Sequence, residues 1–448
     1  VSGIDQALFS DGVTPGQNFY LYANEKWLES TEIPADKSNY GIFGILDDQT
    51  RQQVRDLIEV AAESKSQAGS PAQKVGDLYQ SVLDVEARNG AGLRPIEDLL
   101  LLINRANSKR ELVAALGSLT RSGVYGPLAP YVNVDARKSD RYAVYVTQSG
   151  LTLPDRDYYL EDEARYEELR EALKVYITDM LTFLDVPNAA DAAETVFQIE
   201  TEIAQVQWTK TENRDPEKTY NRKSKEEMRE LVKGFDWRRF ADTTGISGQG
   251  HFVVRQPSYL QAMGELFAEK ELEDWKNYLR LHVIDSYASS LTEKMERRHF
   301  DFHSTAVSGV TEQEPQWKRG VNVTGSVLGE LVGQLYVERY FKPEAKRRMN
   351  QLVENLKRAF AARIETRDWM GDGTKKQALE KLSMFTTKIG YPDEWKDYFD
   401  LSIESPVLAT NLIAAAEFEH NRELNKLGGP IDRGEWHMTP QTINAYYN

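Results

Sequence analysis

Hydrophobic residues recur along most of this chain at three- and four-residue intervals, the spacing that lays an apolar stripe along one side of an α-helix. Val54, Leu57, Ile58 and Ala61 share a face, as do Val196, Ile199, Ile203 and Val206. Leu352, Val353, Leu356 and Phe360 do the same in a segment opened by Pro343, whose fixed φ and missing N–H suit a first helical position. The same reasoning predicts helices over 72–87, 109–121, 161–184, 256–291, 325–341, 374–385 and 406–426. Their other faces are dense in Glu, Lys and Arg, as in Glu161-Asp162-Glu163-Ala164-Arg165, and a solvated helix surface accounts for such runs. Tyr131, Val132 and Val134, then Tyr142, Val144 and Val146, alternate with smaller or polar residues on either side of the polar stretch Asp135–Asp140, which predicts a β-hairpin. A second strand is predicted at the closing Thr442–Tyr447, rich in β-branched and aromatic residues. The break in organisation falls near Arg367–Gly373, a Gly/Asp cluster between two long helical patterns.

Length and composition narrow the class. A chain of 448 residues exceeds one ordinary core, so two or more domains are expected. No run approaches the roughly 18 apolar residues of a spanning helix; the greasiest stretch, Val407–Phe418, is interrupted by Thr410 and Asn411. The start, Val1-Ser2-Gly3-Ile4-Asp5, has neither a basic n-region nor an apolar h-region and reads as a mature or trimmed start, with no export signal visible. A net charge of −15 argues against nucleic-acid binding, which needs basic surface to neutralise phosphate. The absence of cysteine excludes disulfides, thiolate catalysis and Cys-based metal sites together.

Local chemistry is sparse. Of six histidines, only His299 and His303 stand at helical spacing, in His299-Phe300-Asp301-Phe302-His303. Two histidines four apart share a helix face and could share a metal. The zincin pattern needs Glu directly after the first His as general base, and Phe300 stands there. No third ligand is evident, and Phe300 and Phe302 flank the pair like packing residues, so no metal site is expected. His420 reads as a solvated or capping histidine, and Gly329 and Gly333 as permitting close helix packing. There is no Gly-x-Ser-x-Gly nucleophile elbow and no P-loop.

Seven segments nevertheless form an ordered series. They are Phe19–Leu28 followed by Ile33-Pro34 and Tyr40-Gly41-Ile42-Phe43; Gly150-Leu151-Thr152-Leu153-Pro154-Asp155-Arg156-Asp157-Tyr158-Tyr159; and Arg214-Asp215-Pro216 with Tyr220-Asn221. Pro315-Gln316-Trp317-Lys318-Arg319, Gly333-Gln334-Leu335-Tyr336-Val337, Lys388-Ile389-Gly390-Tyr391-Pro392 and Asn444-Ala445-Tyr446-Tyr447 complete it. Spread over essentially the whole chain, they resemble the neprilysin (M13) family of zinc metalloendopeptidases, in particular the bacterial oligopeptidase O branch. Animal relatives in that family carry disulfide cysteines near the positions of Gly16, Asn24 and Gly320, and their joint absence looks like the bacterial branch.

The resemblance implies a mainly α fold: a large helical domain plus the first part of a thermolysin-like α+β catalytic domain, with small β-hairpins. Residues 1–30 would pack on the catalytic domain, 31–365 would form the helical domain covering a substrate chamber, and 366–448 would open the catalytic domain and end in the substrate-binding strand. The family holds zinc with His-Glu-x-x-His and a downstream Glu, the metal polarising a peptide carbonyl and activating water with the motif's Glu as base. None of these residues is in this sequence, so it resembles a chain truncated before the zinc motif, with no catalytic and no metal-binding residue of its own. What carries over is Asn444, whose carboxamide can clamp an extended peptide backbone, and Ala445, small enough for a substrate strand to lie alongside. Phe43 matches an apolar residue lining the pocket for the side chain after the scissile bond. Asn39 and Asp47 stand where neprilysin has basic residues for a substrate's terminal carboxylate, implying endopeptidase behaviour without a strong preference for a free C-terminus.

The expected function is therefore the substrate-enclosing, non-zinc-binding portion of a zinc-dependent endopeptidase acting on oligopeptides. This chain alone would be inactive, and its partner would be the C-terminal remainder, in the same polypeptide or as a separate chain. The alternative is a free-standing helical peptide- or protein-binding module without catalysis. Family habit places the protein in a bacterial periplasm or cell envelope or outside the cell, with the cytoplasm left open.

Overall fold

The computed structural model describes residues 4–64 and 66–447, and it is mainly helical with one small sheet. Local chemistry sets many boundaries. Lys109–Arg121 is a helix because Ser108 caps it, accepting the Glu111 N–H at 3.2 Å, and its Leu112, Val113, Leu116 and Leu119 are buried. Lys210–Asn213 and Lys225–Leu231 open on reciprocal capping boxes, Thr209 with Glu212 and Ser224 with Glu227. The pattern over 256–291 resolves into two helices, Pro257–Glu269 and Leu272–Tyr287, because Lys270 and Glu271 take extended backbone with ψ of 155° and 156°. The 72–87 pattern likewise divides at Asp84, which closes Pro71–Leu83 and caps Val85–Ala91, accepting the Ala87 N–H at 2.8 Å. The pattern over 325–341 starts earlier than expected. It comprises Gln316–Val327 and Gly329–Tyr340, broken at Leu328 where ψ is 34°.

The hairpin forms as β1 (Leu128–Asp135) and β2 (Lys138–Gln148), with a shorter connection than the polar run suggests, since Asp135 pairs directly with Lys138. Lys138-Ser139-Asp140 is strand with exposed side chains, so its polarity marks a solvated strand rather than a loop. Two strands of four residues complete the sheet, β3 (Asn221–Ser224) and β4 (His251–Val254), in the order β1-β2-β4-β3. β4 runs parallel to β2, with Val144 opposite Phe252, and antiparallel to β3. The strand predicted at Thr442–Tyr447 is a correction: those residues join no ladder. β propensity reflects packing against neighbouring strands, and among the described residues that segment has none.

Two apolar cores organise the chain. The larger joins the sheet to the helices between Glu97 and Tyr287, around fully buried Trp275, Tyr176, Tyr259, Tyr278, Phe240 and Phe252. Burying each such ring contributes roughly 1.5–3 kcal/mol. The smaller is built from Ile42–Glu63, Pro71–Leu83, Gln316–Val327 and Gly329–Tyr340, and Tyr398, Leu401, Ile403 and Leu408 return to fill it. Arg88 sits between these regions with 1% exposure; its guanidinium donates to the Leu291 carbonyl at 3.1 Å and to the Glu296 carboxylate, which Arg319 also engages.

The conspicuous loop Gly150–Tyr159 is held by a buried polar network. Gly150 has φ of +90°, and a Cβ there would lie 2.1 Å from the Tyr278 hydroxyl, which donates to the Gly150 carbonyl at 2.9 Å. The Glu200 carboxylate accepts from Thr152 Oγ1 at 2.7 Å and from the Tyr159 hydroxyl at 2.6 Å. Burial raises Glu200 to about 7, against the opposing hydrogen bonds from Tyr159 and Thr152. His282 Nε2 lies 3.6 Å from Glu200, but burial lowers that imidazole to about 4, so the two are not an ion pair at neutral pH. Asp215 and Asn221 are likewise structural. Asp215 Oδ1 accepts from the Glu217 and Lys218 N–H groups, and the Asn221 amide donates to the Val254 carbonyl at 3.1 Å.

Candidate functional site

The segment that ends the described chain is positioned by glycines on a helix. Gly329 and Gly333, one turn apart at the start of Gly329–Tyr340, leave room for Thr439 and Pro440. A Cβ at Gly329 would stand 2.6 Å from Thr439 Cγ2, and one at Gly333 would stand 2.7 Å from Pro440 Cδ. The close approach these glycines allow is thus to an incoming loop rather than to another helix. Gln441 completes the dock by donating to the Gly329 carbonyl at 3.0 Å. Upstream, Glu435 is anchored by Arg422 at 2.8 Å and Lys426 at 2.7 Å. Burial pushes its carboxyl up, but hydrogen bonds from Lys426 and Arg422 outweigh it and hold the group below the usual range.

Beyond this dock, residues 442–447 run along the surface. The His437 N–H donates to the Tyr446 hydroxyl at 3.3 Å, and the Tyr447 ring lies 5.9 Å from that of Phe385. Asn444 Oδ1 accepts the adjacent Ala445 N–H at 2.8 Å, and among the described residues its amide nitrogen has no acceptor. Asn444 and Ala445 are both exposed. They offer an open backbone edge with a free carboxamide donor, which suits an added peptide strand.

Phe43 lies in the first turn of Ile42–Glu63, 68% exposed, so it is not a core residue of these elements. Among the described residues, no hydrogen bond or ring contact links it to Asn444–Tyr447. Asp47 is paired with Arg51 at 2.8 Å. The nearby lysines are also engaged: Lys37 with Asp48 at 2.7 Å and Lys318 with Asp36 at 2.9 Å. Burial raises Asp48, yet the hydrogen bond and charge of Lys37, with the charge of Lys318, hold it below its ordinary value. No uncommitted cation therefore stands beside Phe43 among these groups.

His420 is half-buried, and its Nε2 donates to the Thr244 carbonyl at 2.8 Å, capping the C-terminus of Trp237–Thr244. Phe300 and Phe302 are buried packing residues. The histidine pair does acquire a third potential ligand, one that spacing along the chain does not reveal. Asp285, on Leu272–Tyr287, lies with His299 and His303 so that one ligand atom from each falls within 4.8 Å of the others. It is the one such cluster among the described residues. Buried Phe300 occupies the place of a zincin general base, so these residues do not fit the catalytic zinc of a peptidase.

Residues 15–392 match a family model described as Peptidase family M13. An endothelin-converting enzyme homolog from Locusta migratoria is 27% identical over 462 residues, covering 97% of this chain and 63% of that relative. The human endothelin-converting enzyme-like 1 is 26% identical, covering 97% of this chain and 59% of its own length. The chain thus spans less than two thirds of these curated relatives. Among solved structures, the inhibitor complex of Mycobacterium tuberculosis zinc metalloprotease Zmp1 superposes with a TM-score of 0.95 at 38% identity, over 100% of this chain and 68% of that one. PepO from Lactobacillus rhamnosis shares the fold, with a TM-score of 0.84 at 20% identity over 97% of this chain and 69% of its own.

Proposed function

The chain belongs to peptidase family M13, and on that premise we propose that it forms the substrate-enclosing portion of a zinc-dependent endopeptidase that hydrolyses oligopeptides. The ligands of the catalytic zinc come from outside these 448 residues, in a zinc-bearing part carried by the same polypeptide or by a separate chain. Asn444 and Ala445 bind the substrate backbone, and Phe43 contacts the side chain after the scissile bond. Residues 31–365 cover the substrate chamber, residues 1–30 pack on the catalytic domain, and residues 366–448 form the first part of that domain. The setting is a bacterial periplasm or envelope, or the exterior. No described helix is long and apolar enough to cross a membrane.

The observation that carries this reading is an apolar helix face left exposed among the described residues. Pro343–Glu365 is a 23-residue helix that buries only Ile364. Its Met349, Leu352, Leu356 and Phe360, spaced along one side, are all exposed, Leu356 at 59%. Trp369, Met384 and Phe399 are exposed as well, Phe399 at 84%, and Phe19–Ser30 buries no residue at all. Each such side chain forgoes roughly 1.5–3 kcal/mol of transfer energy, so an amphipathic helix left this way calls for a covering partner. A free-standing module would bury this stripe within itself.

Hydroxyl-radical footprinting tests the choice. Met349, Phe360, Trp369 and Phe399 are expected to react several-fold more slowly in the complete protein than in the 448-residue chain. Equal reactivity in both would instead favour the free-standing module.

A further inference from the structure

Asp285, His299 and His303 come together in the helical part of the chain. His299 ends the helix Glu293–His299, and the chain continues as a π-helix, Phe300–Ala306, whose wide turn is closed by the Val307 N–H donating to the Phe302 carbonyl at 3.0 Å. π turns cost helix stability and recur at functional positions. This one brings the His299 and His303 rings to a centroid separation of 4.3 Å and turns His303 toward Asp285, whose Oδ1 lies 2.8 Å from His303 Nε2.

The remaining valences around the cluster are open. The Tyr176 hydroxyl donates to Asp285 Oδ1 and orients the carboxylate, while Tyr176 stacks on Phe302 at 4.5 Å and meets His303 edge-on at 5.3 Å. Among the described residues, Asp285 Oδ2 and both ring nitrogens of His299 have no protein hydrogen-bond partner. An imidazole without a protein partner, facing a second imidazole and an oriented carboxylate, is a set of groups able to ligate one ion. All three residues are partly solvent-accessible, so the site has an entry path.

We propose that Asp285, His299 and His303 bind a divalent transition-metal ion of the zinc type, with solvent completing its coordination. Two imidazoles and one carboxylate suit zinc and its borderline neighbours and disfavour calcium and magnesium, which require oxygen ligands. The ion ties Leu272–Tyr287 to the π-helix, and through the Tyr176 hydroxyl to the helix Ala164–Phe183. It is a structural ion, since Phe300 stands where a catalytic base would be needed.

The test is metal content of the complete natural protein, equilibrated with zinc chloride at neutral pH, then dialysed against metal-free buffer and analysed by mass spectrometry. His299→Gln is the variant of choice because the imidazole it removes makes no protein hydrogen bond. The wild type is expected to retain one zinc per chain more than the variant, whose affinity at this site falls by at least about 100-fold. Cobalt(II) should give the wild type a visible ligand-field band that the variant lacks. The difference of one ion reads this site whether or not a catalytic zinc is also present. Equal zinc content in wild type and variant, with both folded by circular dichroism, would overturn the proposal.

Discussion

Replacing Glu296 by alanine is expected to destabilise the chain by about 3–5 kcal/mol, the effect of removing the anion from a buried ionic group. Arg88 and Arg319 both converge on this carboxylate, and Gln313 donates to it at 3.2 Å. Burial lowers the Arg319 guanidinium and the charge of Arg88 pushes it the same way, with Glu293 opposing; Glu296 is the carboxylate that buried Arg88 and partly exposed Arg319 both reach. Without it the two guanidiniums lose the carboxylate they share. The group also joins three helices, Val85–Ala91, Glu293–His299 and Gln316–Val327, so the loss reaches both cores. Urea unfolding followed by tryptophan fluorescence measures it. Replacing Arg88, Glu296 and Arg319 together by Met, Leu and Met should cost far less than Glu296→Ala alone. If the single variant unfolds at the wild-type urea concentration, the ion group is not what holds these helices.

The second large effect concerns Asn444. In the complete enzyme, Asn444→Ala is expected to lower kcat/KM for an oligopeptide by about 10- to 100-fold, through the loss of one or two backbone hydrogen bonds and the unpaired groups left behind. The exposed carboxamide makes only one short-range contact, to the Ala445 N–H, so folding should not suffer. The change should appear as raised KM where the bonds form equally in ground and transition states, and as lowered kcat where they tighten only in the latter. Unchanged kcat/KM would remove Asn444 from the substrate site.

Much of the architecture was legible because helix signals are local. The apolar spacing placed Lys109–Arg121 at both ends, and Pro343 placed the start of the helix it opens. The failures have a common physical cause, which is information supplied from far along the chain. β3 reads Asn221-Arg222-Lys223-Ser224, polar and four residues long, and is a strand only because β4 lies beside it. Thr442–Tyr447 has the opposite defect, strand-like residues with no neighbouring strand among those described. At the candidate metal site, His299 and His303 were visible at their spacing, but Asp285 is 18 residues before His303 on another helix. No periodicity relates it to them. The stripe on Pro343–Glu365 was legible as apolar, but periodicity cannot say whether a stripe is covered.

The division of labour between this chain and a zinc-bearing part is tested by an oligopeptide hydrolysis assay on three zinc-supplemented samples: the 448-residue chain, its mixture or fusion with the zinc-bearing part, and that sample with chelator. Expected is no turnover by the chain alone, turnover once the zinc-bearing part is present, and its loss on chelation. Chelator-sensitive hydrolysis by the 448-residue chain alone would contradict the account, because the catalytic zinc would then be held by residues assigned here only to substrate and structure.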